Sequence, residues 1–307
     1  MVGLRLQPLP RLNGWVLRHM GFRLVRIRPT RRQVALSPTS PRATPIEEMD
    51  HIRFRTTDWV ASVPVADLVG RPIFGYGPQS WHPLVAASHE LLTDRNSPYE
   101  SSVLRRFYDS FTPKTIAEAC HLSDPGPLAD IPARNLFEPW QLDSPPFDDP
   151  HTAESAGGSP LFGPVSRRAG EAEWRRLQNR IKSILRYGYR PEHFPEGRIR
   201  IVVLRYGGQQ RYLVAHGQHR AAILAALGHT RIDVSLQTYA PPVVDESEAH
   251  LWPHVRSGFL TQERALSMLR RYFATPASDP ALPIGAAARD ESDSQTAVRL
   301  TFRTGAR

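Results

Sequence analysis

The chain has 307 residues, of which 40% are hydrophobic and 9% aromatic, enough for one large core or two ordinary ones. Its single cysteine, Cys120, excludes a disulfide framework, and the sequence has no secretory signal, so we expect a cytoplasmic protein. The formal net charge of +9 equals the nine arginines that precede Ile46, where no acid occurs. The rest of the chain is near neutral, which disfavours nucleic acid as the partner without excluding it.

Residues 1–45 form a basic leader. Between residues 12 and 27, apolar side chains recur along one helical face with arginines between them, a pattern that predicts peripheral contact with an anionic membrane surface. Charges interrupt the apolar run too often for it to span a bilayer. Gly14 and Gly21 weaken the helix, so a mobile extension, or a misassigned start codon, is the alternative.

Residues 46–75 are predicted to hold the opening strand of the fold, and Asp67 lies near the end of its apolar stretch, Ser62–Leu68. Residues 76–160 are predicted to be a helical insertion or subdomain that ends in a proline-rich linker. Its aromatic side chains are expected to be buried, with a stacking platform for a sugar or nucleoside as the alternative. The spacing of apolar residues predicts three helices here: His82–Leu92, Tyr99–Phe111 and Thr115–Leu122.

Residues 161–240 show the clearest order of elements. Helical spacing extends from Glu171 to Tyr187 and stops at Gly188, and Glu171 and Glu173 are expected to interact with the dipole of this helix. Two apolar strands then flank a pair of glycines, a pattern that predicts a β-hairpin: Ile199–Leu204, Gly207–Gly208 and Arg211–Ala215.

A turn of polar residues follows the hairpin, between a strand and a helix. A helix that begins after Gly217 would direct its unpaired N–H groups and the positive end of its dipole at an anion, and Arg220 offers a planar fork of donors. We therefore predict a phosphate site formed by His216, Gly217, Gln218, His219 and Arg220. The alternative is a packed core helix whose bend would need a glycine in any case.

The run Gly217-Gln-His-Arg-Ala-Ala222, followed by Leu227-Gly228 and the strand Ile232–Val234, resembles the signature of the ParB/sulfiredoxin superfamily, whose Gly-x-x-Arg box binds nucleotide phosphates. The resemblance covers about residues 163–238. It implies an α+β ParB/sulfiredoxin-like domain with an inserted, mainly helical region, a nucleotide ligand such as ATP or CTP, and Mg²⁺ with the nucleotide. The chain also resembles uncharacterised bacterial proteins associated with surface-polysaccharide gene clusters.

Two positions of the box depart from the superfamily pattern. Gln218 stands where sulfiredoxins have their catalytic cysteine, so sulfinic acid reduction is not expected. His216 stands where many relatives, including the free-serine kinases, have an aspartate that helps to hold the metal ion. An imidazole is a poor ligand for Mg²⁺, which prefers oxygen. Metal-assisted phosphoryl transfer therefore loses one of its expected ligands.

Two residues are candidates for acid–base chemistry. The resemblance to the kinases implies Asp67 as a general base, with an exposed turn acid as the alternative. His219 could donate to a phosphate or carry a proton, with a solvated side chain as the alternative. Two hypotheses follow: a nucleotide-dependent phosphotransferase that uses Asp67 or His219, or a non-catalytic, nucleotide-gated binding module.

Residues 241–274 form a C-terminal extension, with a helix predicted from Thr261 to Phe273. His250 and His254 have the spacing of a helical metal pair, but Pro253 between them breaks such a helix, so no metal site is predicted and a loop that buries Trp252 is preferred. No helix-turn-helix follows, which disfavours a DNA-associated ParB role. Residues 275–307 are predicted to be a disordered, low-complexity tail. The sequence does not specify the oligomeric state.

Overall fold

A mixed β-sheet of seven strands organises the parts of the chain that the computed structural model describes, residues 60–141, 161–191, 197–237 and 241–275. The basic leader, the linker and the tail, with their expected membrane contact and disorder, lie outside these ranges. The strands are β1 (Val60–Pro64), β2 (Leu68–Gly70), β3 (Phe74–Gly75), β4 (Ile199–Tyr206), β5 (Gln209–His216), β6 (Arg231–Leu236) and β7 (Val243–Asp245).

The strands are arranged in the order β1-β6-β4-β5-β2-β3, and β7 also pairs with β4. The pairs β1–β6, β4–β5 and β2–β3 are antiparallel, whereas β2 is parallel to β5, and both β6 and β7 are parallel to β4. The helices are α1 (Pro83–Thr93), α2 (Val103–Ser110), α3 (Ile116–Ala119), α4 (Arg167–Tyr187), α5 (Gln218–Ala226), α6 (Pro253–Arg256) and α7 (Gln262–Arg270). The α+β class expected from the sequence is confirmed.

Strand β4 is buried on both faces. Its side chains alternate between two apolar clusters: Ile201 and Val203 belong to the first core, and Val202 and Leu204 to the second. Helices α1, α2, α4 and α5 cover the first face of the sheet, whereas α3, α6 and α7 cover the second. A continuous apolar run such as that of β4 is the expected sequence of a strand covered on both sides.

The hairpin and the long helix predicted from the sequence are confirmed. The turn between β4 and β5 consists of Gly207 and Gly208, both with positive φ, as a two-residue turn that follows the twist of the strands requires. Helix α4 begins one turn earlier than predicted, because the hydroxyl of Ser166 accepts the N–H of Ala169. It ends at Gly188, where φ is 74°.

The prediction of one continuous strand over Ser62–Leu68 is wrong, because this stretch contains the end of β1 and the start of β2. β1 pairs with β6 as far as Pro64, and the backbone N–H of Val65 then donates to the carbonyl of Thr230. A 3₁₀ turn over Val65–Asp67 carries the chain to β5, with which β2 pairs. An apolar run identifies extended segments but does not show at which residue the chain changes its partner strand.

The predicted helix Tyr99–Phe111 is divided at Ser102. The serine hydroxyl accepts the N–H of Arg105 and so starts α2, and a 3₁₀ turn precedes it. As expected from Pro253, no single helix joins His250 to His254: a 3₁₀ helix over Glu246–Leu251 ends before Trp252, which is extended. Pro253 then begins α6, because a first-turn residue needs no N–H partner. Trp252 is buried in the second core, as expected.

Residues 76–141 do not form a core of their own. Helices α1 and α2 pack on the first face of the sheet, and α3 and Trp140 pack on the second. This stretch therefore wraps from one face to the other, and its aromatic side chains are mostly buried in the two cores, as expected. It connects α1, which contacts α5, with the layer on the opposite side of the sheet.

A charged network is buried in the second core. The guanidinium of Arg271 donates to both carboxylate oxygens of Glu138, at 2.8 and 2.9 Å, and its Nε donates to the carbonyl of Pro72 at 2.9 Å. The hydroxyl of Tyr272 donates to Glu138 at 2.5 Å. Cys120 lies beside this network, and burial, with a smaller contribution from the charge of Glu138, raises the pKa of its thiol to about 11. The network joins the end of α7 to the loop between β2 and β3.

We expect Arg271→Leu to destabilise the protein by about 3 kcal/mol, because it leaves the buried carboxylate of Glu138 without its main partner. The free energy of unfolding in urea measures the change. The double variant Arg271→Leu/Glu138→Leu should recover part of the loss, since both buried charges are then absent. As a control, Arg105→Ala removes an exposed pair with Asp109 and should change stability by less than about 1 kcal/mol. Equal effects of Arg271→Leu and Arg105→Ala would contradict this prediction.

Candidate functional site

The predicted phosphate turn lies at one edge of the sheet, where the parallel strands β2 and β5 both end and α5 begins. Gly217 adopts the left-handed conformation, with φ of 87°. A Cβ atom at this position would lie 2.9 Å from Nη2 of Arg220 and 3.1 Å from Cγ1 of Ile199. Glycine is therefore required both for the backbone conformation and for the space around it.

Arg220 makes its contacts in the interior of the protein. Its side chain is buried, with 3% of the residue exposed, and Nη1 donates to the backbone carbonyl of Gly197. The guanidinium also packs against Gly217, as the short Cβ distance shows. Arg220, which the sequence predicts as a phosphate ligand, thus already binds a backbone carbonyl through Nη1. The side chain of Arg220 ties the chain just before β4 to the start of α5.

His219 lies against a buried carboxylate from α4. Its Nε2 is 2.6 Å from Oε1 of Glu173, although the N–H direction deviates from that of an aligned hydrogen bond. The other oxygen of Glu173 accepts from Arg176 at 2.6 Å. Burial by itself would raise the pKa of Glu173, but His219 and Arg176 outweigh it and hold the pKa below its usual value. Glu173 is thus a structural acceptor, beyond the dipole partner expected from the sequence.

This contact defines what His219 can do. A carboxylate only accepts, so the contact with Glu173 favours a hydrogen on Nε2, and in that tautomer Nδ1 holds the lone pair. A histidine oriented by a carboxylate in this way is suited to accept a proton at its second nitrogen. Of the two candidates for acid–base chemistry, His219 is the one that lies at the turn, and it remains partly accessible, with 19% of its side chain exposed.

The start of α1 lies close to the start of α5. His82 caps α1, since its Nδ1 accepts the N–H of Leu84 at 3.1 Å, and its ring packs on Tyr76 with 4.2 Å between the centroids. Burial, with a smaller contribution from the charge that His219 carries when protonated, lowers the pKa of His82 to about 3. The hydroxyl of Tyr76 is buried without a hydrogen-bond partner among the described residues. The start of α1, with Tyr76 packed on its capping histidine, therefore lies near His219 at the start of α5.

Asp67 is not part of this site. It lies at the opposite end of β2, where its carboxylate accepts from Arg211 at 3.2 Å. Arg211 is five residues before His216 on β5, a separation of about 16 Å along a strand. The resemblance to kinases placed this carboxylate near the acceptor, but the register of β2 against β5 does not bring it to the turn.

The outer rim of the turn is basic. His216 is exposed and lies directly opposite Arg200 in the antiparallel pairing of β4 and β5. Gln218 is partly exposed in the first turn of α5, and the helix has no side-chain N-cap among the described residues. Its first N–H groups and two basic side chains therefore border one surface. Such a surface favours an anion.

The turn could be predicted from the sequence, but the side chains that surround it in the fold could not. Glu173 comes from α4, Arg200 from β4, and Tyr76 and His82 from the segment between β3 and α1, and only the fold brings these segments together. The position of Arg200 alone had a signal, because strand alternation across the hairpin pairs it with His216. Among the described residues, no group of three His, Cys, Asp or Glu side chains could hold a metal ion. The groups at the turn are imidazoles, a guanidinium and an engaged carboxylate, and these do not fit Mg²⁺.

No family model, curated protein or solved structure matches the chain. Within the described parts of the chain, no helix is long and apolar enough to cross a membrane.

We expect the stability of the protein to fall between pH 7 and pH 5, in part because of His82. The unfolded state protonates this imidazole near pH 6.5, whereas the folded state resists protonation down to about pH 3. Protons therefore bind the unfolded state preferentially, and this single group contributes about 2 kcal/mol to the loss. His82→Asn keeps a capping side chain and removes the titration, so the loss measured in urea should become smaller by about that amount.

The matched control is His89→Asn, on the exposed face of the same helix. It should keep the pH dependence of the wild type. If the two variants lose stability in parallel between pH 7 and pH 5, His82 does not carry the effect.

Proposed function

We propose that the protein binds a phosphate-bearing small molecule, a nucleotide such as ATP or CTP, at the start of α5. The observation that carries the proposal is the junction itself, where a left-handed glycine ends β5 and a helix without a side-chain N-cap begins. The backbone N–H groups of the first turn and the helix dipole provide the complementary charge for a phosphate.

The order of elements supports the more specific proposal that the fold is ParB/sulfiredoxin-like. Helix α4, the hairpin β4–β5, helix α5 and strand β6 follow one another as the resemblance implied, and the Gly-x-x-Arg run lies at the junction of β5 and α5. In this proposal Arg220 acts indirectly. Its guanidinium fixes the turn through Gly197, and the phosphate contacts come from the backbone, from His216 and from Arg200 at the rim.

His219 supports the enzymatic form of the proposal. Because Glu173 engages Nε2, the other nitrogen is available to accept a proton from an attacking hydroxyl or water, as a phosphotransferase or a slow hydrolase requires. A Mg²⁺ ion would have to be carried mainly by the phosphates of the nucleotide. The second candidate, a nucleotide-gated binding module, is favoured by the location of Asp67, which leaves the turn without an acidic base for the acceptor.

We expect one nucleotide of a panel to raise the melting temperature of the protein, since a ligand that binds only the folded state stabilises it. In Arg200→Gln/His216→Gln the affinity should fall about tenfold, because two basic groups are lost from the rim. Isothermal titration calorimetry with the stabilising nucleotide, with and without Mg²⁺, measures the change.

The matched control is Arg205→Gln, at the far end of the same strand, where the side chain pairs with Asp245 at 3.7 Å. It should bind as the wild type does. Equal weakening by Arg205→Gln, or full affinity in the double variant, would reject the rim as the site. Analysis of the products then separates the two candidates, because the phosphotransferase must yield a phosphorylated acceptor and His219→Gln must slow its formation.

A further inference from the structure

Helix α4 carries a straight row of basic side chains. Over Arg167–Tyr187 it has seven cationic residues and two acidic ones, although the body of the chain is close to neutral. Positions separated by seven, four or eleven residues lie on the same face of a helix. On that criterion one exposed row contains Arg168, Arg175, Asn179, Lys182 and Arg186. It extends for about 27 Å along the helix.

The row points away from the protein. The opposite face of α4 is buried in the first core through Trp174, Leu177, Ile181 and Ile184. Of the two acids of the helix, Glu173 is turned inward to His219, whereas Glu171 pairs with Arg167 at 2.9 Å and contacts Arg175 of the row at 3.7 Å. The part of the row from Asn179 to Arg186 has no acid of α4 beside it. A shallow groove of about 510 Å³ runs beside the row and is lined by Ala172, Arg175, Arg176, Asn179, Arg180 and Ser183.

Two large apolar side chains are exposed at the end of the same helix. Leu185 is 41% exposed and Tyr187 is 48% exposed, and among the described residues only one other large hydrophobic side chain is as exposed. The guanidinium of Arg186 lies 5.1 Å from the ring centre of Tyr187. Leucine beside tyrosine and cationic residues is the composition that lies at the boundary between lipid headgroups and acyl chains.

We propose that the exposed face of α4 docks on an anionic lipid surface. The arginines and Lys182 contact the phosphate and carboxylate groups of the lipids, and Leu185 and Tyr187 enter the boundary layer. A nucleic-acid duplex would satisfy the same cations, but it would leave both apolar side chains against a charged backbone. The lipid surface accounts for the charge and the exposed apolar groups together. This surface is separate from the nucleotide site.

Cosedimentation of the full chain with vesicles tests the proposal. We expect binding to phosphatidylcholine vesicles that contain about 30% phosphatidylserine, little binding to pure phosphatidylcholine, and weakening with added salt. Each basic residue near such a surface changes partitioning by about fivefold. Lys182→Gln/Arg186→Gln should therefore reduce partitioning by about 25-fold, and Leu185→Ser/Tyr187→Ser should also reduce it.

The matched control is Arg134→Gln/Arg256→Gln, which removes the same charge from two exposed arginines on other elements. It should keep at least half of the wild-type partitioning, and urea unfolding should show that all three double variants remain folded. The proposal is overturned if the α4 variants partition like this control. It is also overturned if the protein binds a random 20-base-pair duplex through α4 and leaves the vesicles unbound. Retained nucleotide binding in the α4 variants keeps this result distinct from the test of the α5 turn.

Discussion

The burial of β4 on both faces is the constraint on which the rest of the structure depends. A strand with apolar side chains on both sides needs a layer of helices on each face, and it pairs with β5, β6 and β7. The chain meets this requirement by wrapping residues 76–141 from one face to the other. The start of β4 then lies beside the end of β5, and this pairing creates the edge at which α5 begins.

Buried polar groups fix the geometry of that edge. Arg220 holds Gly197 against the turn, and Glu173 lies against His219 on α5 and accepts from Arg176 on α4. A buried carboxylate without these partners would be costly, so the relative position of α4 and α5 is closely specified. The guanidinium of Arg220, which the sequence predicts as a phosphate ligand, is therefore buried and bound to the backbone, and our proposal assigns the anion contacts to the helix start and its rim.

Local patterns in the sequence predicted the elements well and their associations less well. The hairpin, α4 and α5 follow from glycine positions, caps and apolar spacing, which are local properties. The end of β1 at Pro64 and the distance between Asp67 and the turn depend on which strands pair. No local pattern in the sequence specifies that pairing. For the same reason the polar turn residues could be predicted from the sequence, whereas the positions of His82, Tyr76 and Glu173 could not, because they depend on the packing of α4 and of the segment between β3 and α1.

The burial of Cys120 beside Arg271 and Glu138 has a practical consequence. A thiol with a raised pKa and no solvent contact exists almost wholly in its unreactive form near neutral pH. Cys120 should therefore not react with thiol-directed labels in the folded protein. A single cysteine engineered on the surface of α4 or beside Gly217 would accept a fluorophore or spin label selectively, without removal of the native residue. Distances between such labels would report on the arrangement of the two helices in solution.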